Sequence, residues 1–216
     1  MTFKAVTSAQ LDLVRKTATD KGIGKDEFQK YGIDGGIIAK ALDAIKAKAT
    51  PIETPKLLSL VATVSVPAVD KFFASVAFGD NNAAGIKFYL GSNFRENFLT
   101  KIEENISATE LNIHTLIRAS KDAPIRAELT PELEETTLRH LYELLKKQPQ
   151  GQAGALLTNG YANIFYIRDA SGNLWAVGAR WGADFREWDV DAVSVARPRD
   201  WNAGDRVGSR KKVLGS

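Results

Sequence analysis

Two apolar runs joined by a turn-forming tetrapeptide constrain the fold of this chain more than any other feature. They lie in NIFYIRDASGNLWAVGARW, residues 163–181, and a third run, FREWDVDAVSV, follows at 185–195. Alternating apolar residues flank DASG, whose glycine suits a tight turn, so the stretch predicts an antiparallel β-meander. If Asp169 and Asn173 close the first turn, then Ile167 faces Trp175 across the hairpin.

The same pattern predicts the second hairpin and the two faces of the sheet. A four-residue loop at 182–185 would place Ala179 opposite Trp188 and Val177 opposite Val190. Trp175 and Trp188 then share the buried face, beneath a helix. The other face carries charged side chains and is expected to be wet, namely Arg168, Arg180, Glu187, Asp189 and Asp191.

A long helix is predicted over residues 131–147. Thr130-Pro131 places a proline at the first helical position, and acidic residues follow it near the positive end of the helix dipole. Leucines at 138, 141 and 145 form a stripe that would pack on the meander. We expect Arg139, His140, Glu143 and Lys147 on the wet face, with Glu135–Arg139 and Glu143–Lys147 as ion pairs.

The first 50 residues predict three short helices. Ser8 can cap the first, residues 25–31 form the second, and Asp34 can cap a third with isoleucines at 37, 38 and 45. Two prolines then mark residues 51–56 as a linker. The predicted organisation is a helical module at 1–50 and an α+β domain at 57–216 with a basic C-terminal tail.

Two further segments predict strands. LLSLVATVSV, residues 57–66, is rich in β-branched residues, and we favour a strand there over a helix that begins after Thr54-Pro55. LNIHTLIR, residues 111–118, alternates as a half-buried strand does. The fold class is therefore α+β: a small N-terminal three-helix module, then a mixed domain whose C-terminal antiparallel meander packs on helix 131–147.

Composition excludes several classes of function. The chain has 216 residues, no cysteine and a net charge of +3, so disulfide frameworks and thiolate metal or nucleophile chemistry are ruled out. The N-terminus does not resemble a signal peptide, and the longest uncharged apolar stretch, 57–69, is shorter than the about 20 residues of a membrane span. We therefore expect a cytoplasmic protein with no membrane partner.

Three carboxylates lie on one strand face, and they are the best candidate for a catalytic or metal-binding cluster: Glu187, Asp189 and Asp191. Residues two apart on a strand lie about 6.5–7 Å apart, which is wide for convergent metal ligation. A solvated, charge-paired face is the interpretation that we favour over a cation site. His114 and His140, the two histidines of the chain, have no metal-ligand spacing and are expected on polar faces.

The C-terminal segment RPRDWNAGDRVGSRKK suggests nucleic-acid binding. An aromatic ring among cations can stack on a base while the cations hold phosphates. The residues concerned are Arg197, Arg199, Trp201, Arg206, Arg210, Lys211 and Lys212. The alternative is a terminal strand or loop in which Trp201 packs at the sheet edge, followed by a frayed tail.

Three classes of function remain open. We favour a non-catalytic protein-interaction or self-assembly protein that requires no cofactor and no metal. A sequence-tolerant nucleic-acid binder that uses the C-terminal segment is the second class. An enzyme with an unrecognised site is the third, since no catalytic motif such as GxSxG or a Walker loop is present.

Overall fold

The computed structural model of the chain describes residues 8–34, 36–41 and 56–211. The chain divides into two units, Met1–Thr54 and Pro55–Ser216, and each is described by itself. The predicted linker, residues 51–56, lies outside the described residues except for Lys56. None of the described helices is long and apolar enough to cross a bilayer.

The described residues of the N-terminal unit are mostly helical. Helix α1 is Ser8–Asp20, α2 is Lys25–Glu27, a π-helical turn follows at Phe28–Asp34, and α3 covers 37–41. The side chain of Glu27 accepts from the main-chain N–H of Gly24 at 3.2 Å and caps the start of α2. The three-helix module stays a prediction, because most of its third helix lies outside the described residues.

The second unit is a mixed α+β fold, as the sequence predicts. Its strands are β1 Leu58–Val66, β2 Val69–Phe73, β3 Phe88–Leu90, β4 Ile102–Ile106, β5 Thr109–Leu116, β6 Ser120–Lys121, β7 Glu135–Thr136, β8 Asn163–Arg168, β9 Leu174–Gly182, β10 Glu187–Ser194, β11 Asp200–Trp201 and β12 Arg206–Arg210. Its helices are α4 Ala74–Ala77, α5 Ser92–Phe98, α6 Asp122–Leu129, α7 Pro131–Glu134 and α8 Leu138–Lys146. Both further strand predictions, at 57–66 and 111–118, are confirmed by β1 and β5.

A large mixed sheet organises this unit. Its strand order is β1-β5-β12-β8-β9-β10-β3. The short strand β7 pairs with the second half of β8, and β12 pairs with the first half. The pairs β12–β8, β7–β8 and β10–β3 are parallel, and the others are antiparallel. The C-terminal strand β12 therefore lies in the middle of the sheet, and the meander is only part of it.

The two predicted hairpins have different outcomes. The first is confirmed, because Phe165 pairs with Val177 and Ile167 with Trp175. The second register is wrong by two residues: Trp188 pairs with Trp181, and Ala179 pairs with Val190. The loop is residues 183–186, and the positive φ of 51° at Arg186 lets β10 begin one residue later. A shift by two leaves every side chain on its expected face.

Both faces of the sheet are covered at its centre. One core contains Phe165, Val177 and Trp188, which is fully buried beneath the helices. A second core on the opposite face contains Ile164 and Tyr166, with Ile125 and Leu129 of helix α6 and Trp201 of β11. The expectation of one solvent-exposed face is therefore wrong for most of β8. It holds for Arg168, which is exposed at the end of β8, and in part for the half-buried carboxylates of β10.

The single helix predicted over 131–147 is also wrong, because it breaks into α7 and α8. Between them Glu135 and Thr136 form β7, whose main chain pairs in parallel with β8. Thr136 and Thr137 are both β-branched, which suits a strand better than a helix interior. Thr137 then caps α8, since its hydroxyl accepts from the N–H of His140 at 3.2 Å.

A distant carboxylate completes the start of α8. Glu103 in β4 accepts from the N–H groups of Leu138 and Arg139, each at 2.9 Å, and pairs with Lys101 at 3.0 Å. These bonds satisfy helix donors that otherwise lack partners. The packing against β4 leaves His140 only 3% exposed.

The face of α8 that was expected to be wet is largely buried for this reason. The predicted leucine stripe is confirmed, but Glu143 is buried with it and forms ion pairs with Arg139 and Lys146. Glu135 pairs with Arg168 at 3.0 Å. The expected Glu135–Arg139 pair is replaced by Glu135–Arg168, because the break at β7 turns Glu135 away from α8. The expected Glu143–Lys147 pair is replaced by the pairs of Glu143 with Arg139 and Lys146.

Candidate functional site

Trp201, the proposed base-stacking residue, is buried. Its side chain is 2% exposed, and its indole N–H donates to Oδ1 of Asp122 at 2.8 Å. Tyr166 donates its hydroxyl to the same oxygen at 3.0 Å. Trp201 belongs to the second core, so the expectation of an exposed stacking ring is wrong and the packed alternative describes it.

Three basic residues of the same segment form hydrogen bonds or ion pairs with other parts of the second unit. Arg206 is half-buried and donates to the main-chain carbonyl of Ala155, and burial lowers its pKa. Arg210 donates to a main-chain carbonyl of α7 at 2.6 Å. Lys211 forms an ion pair with Glu110 at 2.7 Å. The expected exposure is wrong for Trp201 and Arg206, which pack into the fold, whereas Arg210 and Lys211 are exposed at the end of β12.

The remaining basic residues of the segment are Arg197, Arg199 and Lys212. Arg197 and Arg199 are exposed, in the connection that precedes β11. Lys212 lies outside the described residues. Exposed guanidinium groups of this segment can contact phosphates, but Trp201 is not the exposed aromatic partner that the stacking hypothesis requires.

The carboxylate face and the C-terminal segment meet in one cleft. Asp189 and Asp191 line it together with Arg180, Arg199 and Trp201, and its volume is about 270 Å³. The sequence therefore identified two parts of the same cleft as separate features. They meet because residues 199–201 cross the polar side of β9 and β10.

Charges of both signs act on Asp189. Burial raises the pKa of its carboxyl, Arg180 lowers it, and the neighbouring carboxylates Asp191 and Glu187 raise it further. Glu187 itself pairs with Lys87 at 3.3 Å. Within the described residues no group of three or more metal-ligating side chains is arranged around one point. The preference for a charge-paired face over a cation site stays a prediction.

The two histidines are separate from the cleft. His114 is half-buried in β5, within 3.2 Å of the hydroxyl of Ser209, and burial lowers its pKa. His140 is buried at the start of α8, and burial lowers its pKa to about 4. The expected placement of His140 on the wet face is wrong, since β4 and β7 cover that face.

An apolar groove on the N-terminal unit is the other candidate. It has a volume of about 360 Å³ and is lined by Ile23, Glu27, Phe28, Tyr31, Gly32, Ile37 and Ile38. Gly32 allows α3 to approach closely, because a Cβ at that position would lie 3.1 Å from Cδ1 of Ile38. The sequence pattern of residues 31–38 contains these side chains, but it was interpreted only as a helix end and a cap.

The groove lies among exposed apolar side chains. Six large apolar residues of this unit are 43% exposed or more, namely Leu13, Val14, Ile23, Tyr31, Ile33 and Ile37. No described residue of the unit for which burial is known is fully buried. Such a concentration of exposed apolar surface is typical of protein-protein interaction sites.

The charged cleft and the apolar groove are thus two functional candidates among the described residues. No protein-family model, curated protein or solved structure matches the chain. In the cleft, opposite charges offset one another. In the groove, apolar side chains face water, which is unfavourable until a partner covers them. The groove is therefore the stronger candidate.

Proposed function

We propose that this chain is a protein-interaction protein that self-associates through the apolar groove of its N-terminal unit. The observation that carries the proposal is the exposure of six large apolar side chains in a unit that has no buried residue among those whose burial is known. The second unit differs, since it contains two apolar cores of its own. A cytoplasmic location stays a prediction from the sequence.

The charge pattern favours a second copy as the occupant. Between Asp12 and Lys40 the sequence contains six basic and five acidic residues, closely interspersed. A nearly neutral surface with both signs can meet its own copy without strong repulsion, and a two-fold contact places the same patch on both partners. A polyanion such as nucleic acid would favour a surface of one sign.

Local contacts shape the groove for such a partner. Phe28 and Ile38 are half-buried and form its floor, whereas Tyr31 and Ile37 stand exposed. Aromatic and aliphatic anchors of this kind dominate the binding energy of many interfaces. In a two-fold contact, Tyr31 and Ile37 of each copy would cover the floor of the other.

The oligomeric state tests the proposal. Sedimentation equilibrium over a concentration series should show a reversible dimer for the natural chain and a monomer for Ile37→Asp. Val76→Asp is the matched control, because Val76 lies in the second unit and its exposed fraction, 65%, is close to the 58% of Ile37. The control should dimerise as the natural chain does.

Two results would contradict the proposal. A natural chain that stays monomeric at every concentration would remove self-association. A dimer that Val76→Asp disrupts while Ile37→Asp leaves it intact would place the interface on the second unit. Binding of single-stranded nucleic acid that Ile37→Asp does not change would instead support the alternative function.

A further inference from the structure

A second cavity lies in the second unit, where α8 begins beside the β4–β5 turn. Its volume is about 400 Å³, within the range of about 300–1,000 Å³ that is usual for ligand pockets. The lining residues are Asn105, Ile106, Ser107, Ala108, Thr109, Glu135, Thr136, Thr137, His140 and Arg210. Neither the charged cleft nor the apolar groove contains any of them.

His140 lines this cavity and has one hydrogen-bond donor without a partner. Its Nδ1 accepts from the main-chain N–H of Thr137 at 3.1 Å. A neutral imidazole that accepts at Nδ1 carries its proton at Nε2. Nε2 is buried and has no hydrogen-bond partner among the described residues, which is unfavourable unless an acceptor occupies the adjacent space.

The imidazole stays neutral at physiological pH. Burial lowers its pKa to about 4, while Glu103 opposes the shift and Arg210 and Arg139 add to it. Glu103 is itself occupied by Lys101 and by the first N–H groups of α8. A group that seeks a hydrogen-bond donor in this cavity therefore meets a fixed N–H.

Arg210 adds a positive charge at the same cavity. Its guanidinium donates to the main-chain carbonyl of Glu132 at 2.6 Å, a neutral acceptor. A guanidinium has five N–H donors, so this bond leaves others free for an anion. Glu135, the one carboxylate in the lining, is paired with Arg168 at 3.0 Å.

These features limit the chemical class of the ligand. One guanidinium and one neutral imidazole suit a single negative charge better than a dianion. The cavity is larger than a small ion requires, and Ile106 and Ala108 provide apolar contact for a carbon skeleton. Hydroxyls of Ser107 and Thr109 can bond to further polar atoms of such a molecule.

We infer that this cavity binds a small organic carboxylate, which accepts a hydrogen bond from Nε2 of His140 and pairs with the guanidinium of Arg210. The site is independent of the proposed self-association, since all of its residues belong to the second unit. The carboxylate would satisfy the buried imidazole N–H that the protein leaves without a partner.

Nuclear magnetic resonance of the imidazoles tests the inference on the full-length chain. The chain has two histidines, so His114→Gln assigns both sets of signals. Benzoate and acetate are the probes, with inorganic phosphate and chloride as comparison anions. We expect benzoate to shift the Nε2 signal of His140 saturably and to leave His114 unchanged, with benzoate binding more tightly than acetate.

Two neighbouring basic residues give a matched pair of variants. Arg210→Gln should weaken benzoate binding at least about tenfold, the loss of one charge-assisted hydrogen bond. Arg210→Lys should restore part of it. Lys211→Gln removes the same formal charge next to the site, but Lys211 pairs with Glu110 outside the cavity, so this variant should bind as the natural chain does.

Three results would overturn the inference. The first is the absence of any saturable shift of the His140 signal in the natural chain, a result that depends on no variant. The second is an equal loss of binding in Arg210→Gln and Lys211→Gln, which would indicate a general charge effect. The third is an identical response to chloride, which would indicate ionic strength alone.

Discussion

Replacement of Trp201 by alanine tests whether this side chain is buried in the second core and is therefore not available to stack on a base. The indole is buried in the second core, and its N–H donates to Asp122 at 2.8 Å. Truncation of a buried tryptophan costs about 3–5 kcal/mol of stability. Because Asp122 also loses a donor, we expect Trp201→Ala to reach the upper part of that range.

A companion variant separates packing from hydrogen bonding. Trp201→Phe keeps an aromatic ring in the core but removes the donor to Asp122. The lost bond to a carboxylate should cost about 1.5–3 kcal/mol, and the smaller ring adds a cavity. We therefore expect a stability between those of the natural chain and Trp201→Ala.

Urea denaturation and thermal denaturation, each followed by far-ultraviolet circular dichroism, measure these differences in stability. One kcal/mol corresponds to about 2–4 °C in melting temperature for a domain of this size, so Trp201→Ala should melt about 10 °C lower or more. Arg199→Ala is the control, since Arg199 is exposed in the same segment. Its melting temperature should equal that of the natural chain. A Trp201→Ala protein with the stability of the Arg199→Ala protein would refute the placement of Trp201 in the core.

The same geometry determines how nucleic-acid binding can be tested. A chain that ends at Ala196 loses β12, which pairs with both β5 and β8 in the middle of the sheet. Such a chain should fail to fold, so its loss of binding would carry no information on contacts. Alanine at both Arg197 and Arg199 is the suitable test, because each phosphate contact adds about −0.7 to the slope of log affinity against log salt.

Three further predictions concern stability and organisation. Trp188→Asp should cost several kcal/mol more than Asp189→Ala, because the first places a charge in a fully buried position, and equal urea midpoints would contradict this. Limited proteolysis should cut first within residues 51–56, the linker that the sequence predicts. Because the pKa of His140 falls from 6.5 to about 4 on folding, the unfolded chain binds more protons between these values. Stability should therefore be complete above pH 6.5 and decline as the pH falls toward 4, by about 3 kcal/mol; His140→Gln should show a smaller decline than His114→Gln.

Local alternation was sufficient to predict the first hairpin. Phe165 and Ile167 are two residues apart on β8, as Trp175 and Val177 are on β9, and the glycine in DASG adopts the positive φ that the turn requires. All the information needed lies within 13 residues. The second hairpin needed the conformation of Arg186, a residue type that gives no signal for a positive φ, and its register was therefore missed.

The break in the predicted helix depends on distant partners. Glu135 and Thr136 extend because β8 offers a free strand side, and α8 begins where Glu103 supplies two acceptor oxygens. Nothing in residues 131–147 contains that information, although the paired threonines at 136 and 137 are a local signal against a continuous helix. The burial of His140, and with it the carboxylate cavity, follows from the same break.

The C-terminal segment shows why an aromatic residue among cations is ambiguous in a sequence. Trp201 finds its acceptor in Asp122, 79 residues earlier, and Arg210 finds its carbonyl in Glu132, 78 residues earlier. Arg206, Arg210 and Lys211 bond to three separate parts of the second unit, so their positive charges are dispersed and do not form one surface. The large apolar side chains of the N-terminal unit are instead exposed, and for this reason we propose that the interaction surface lies there.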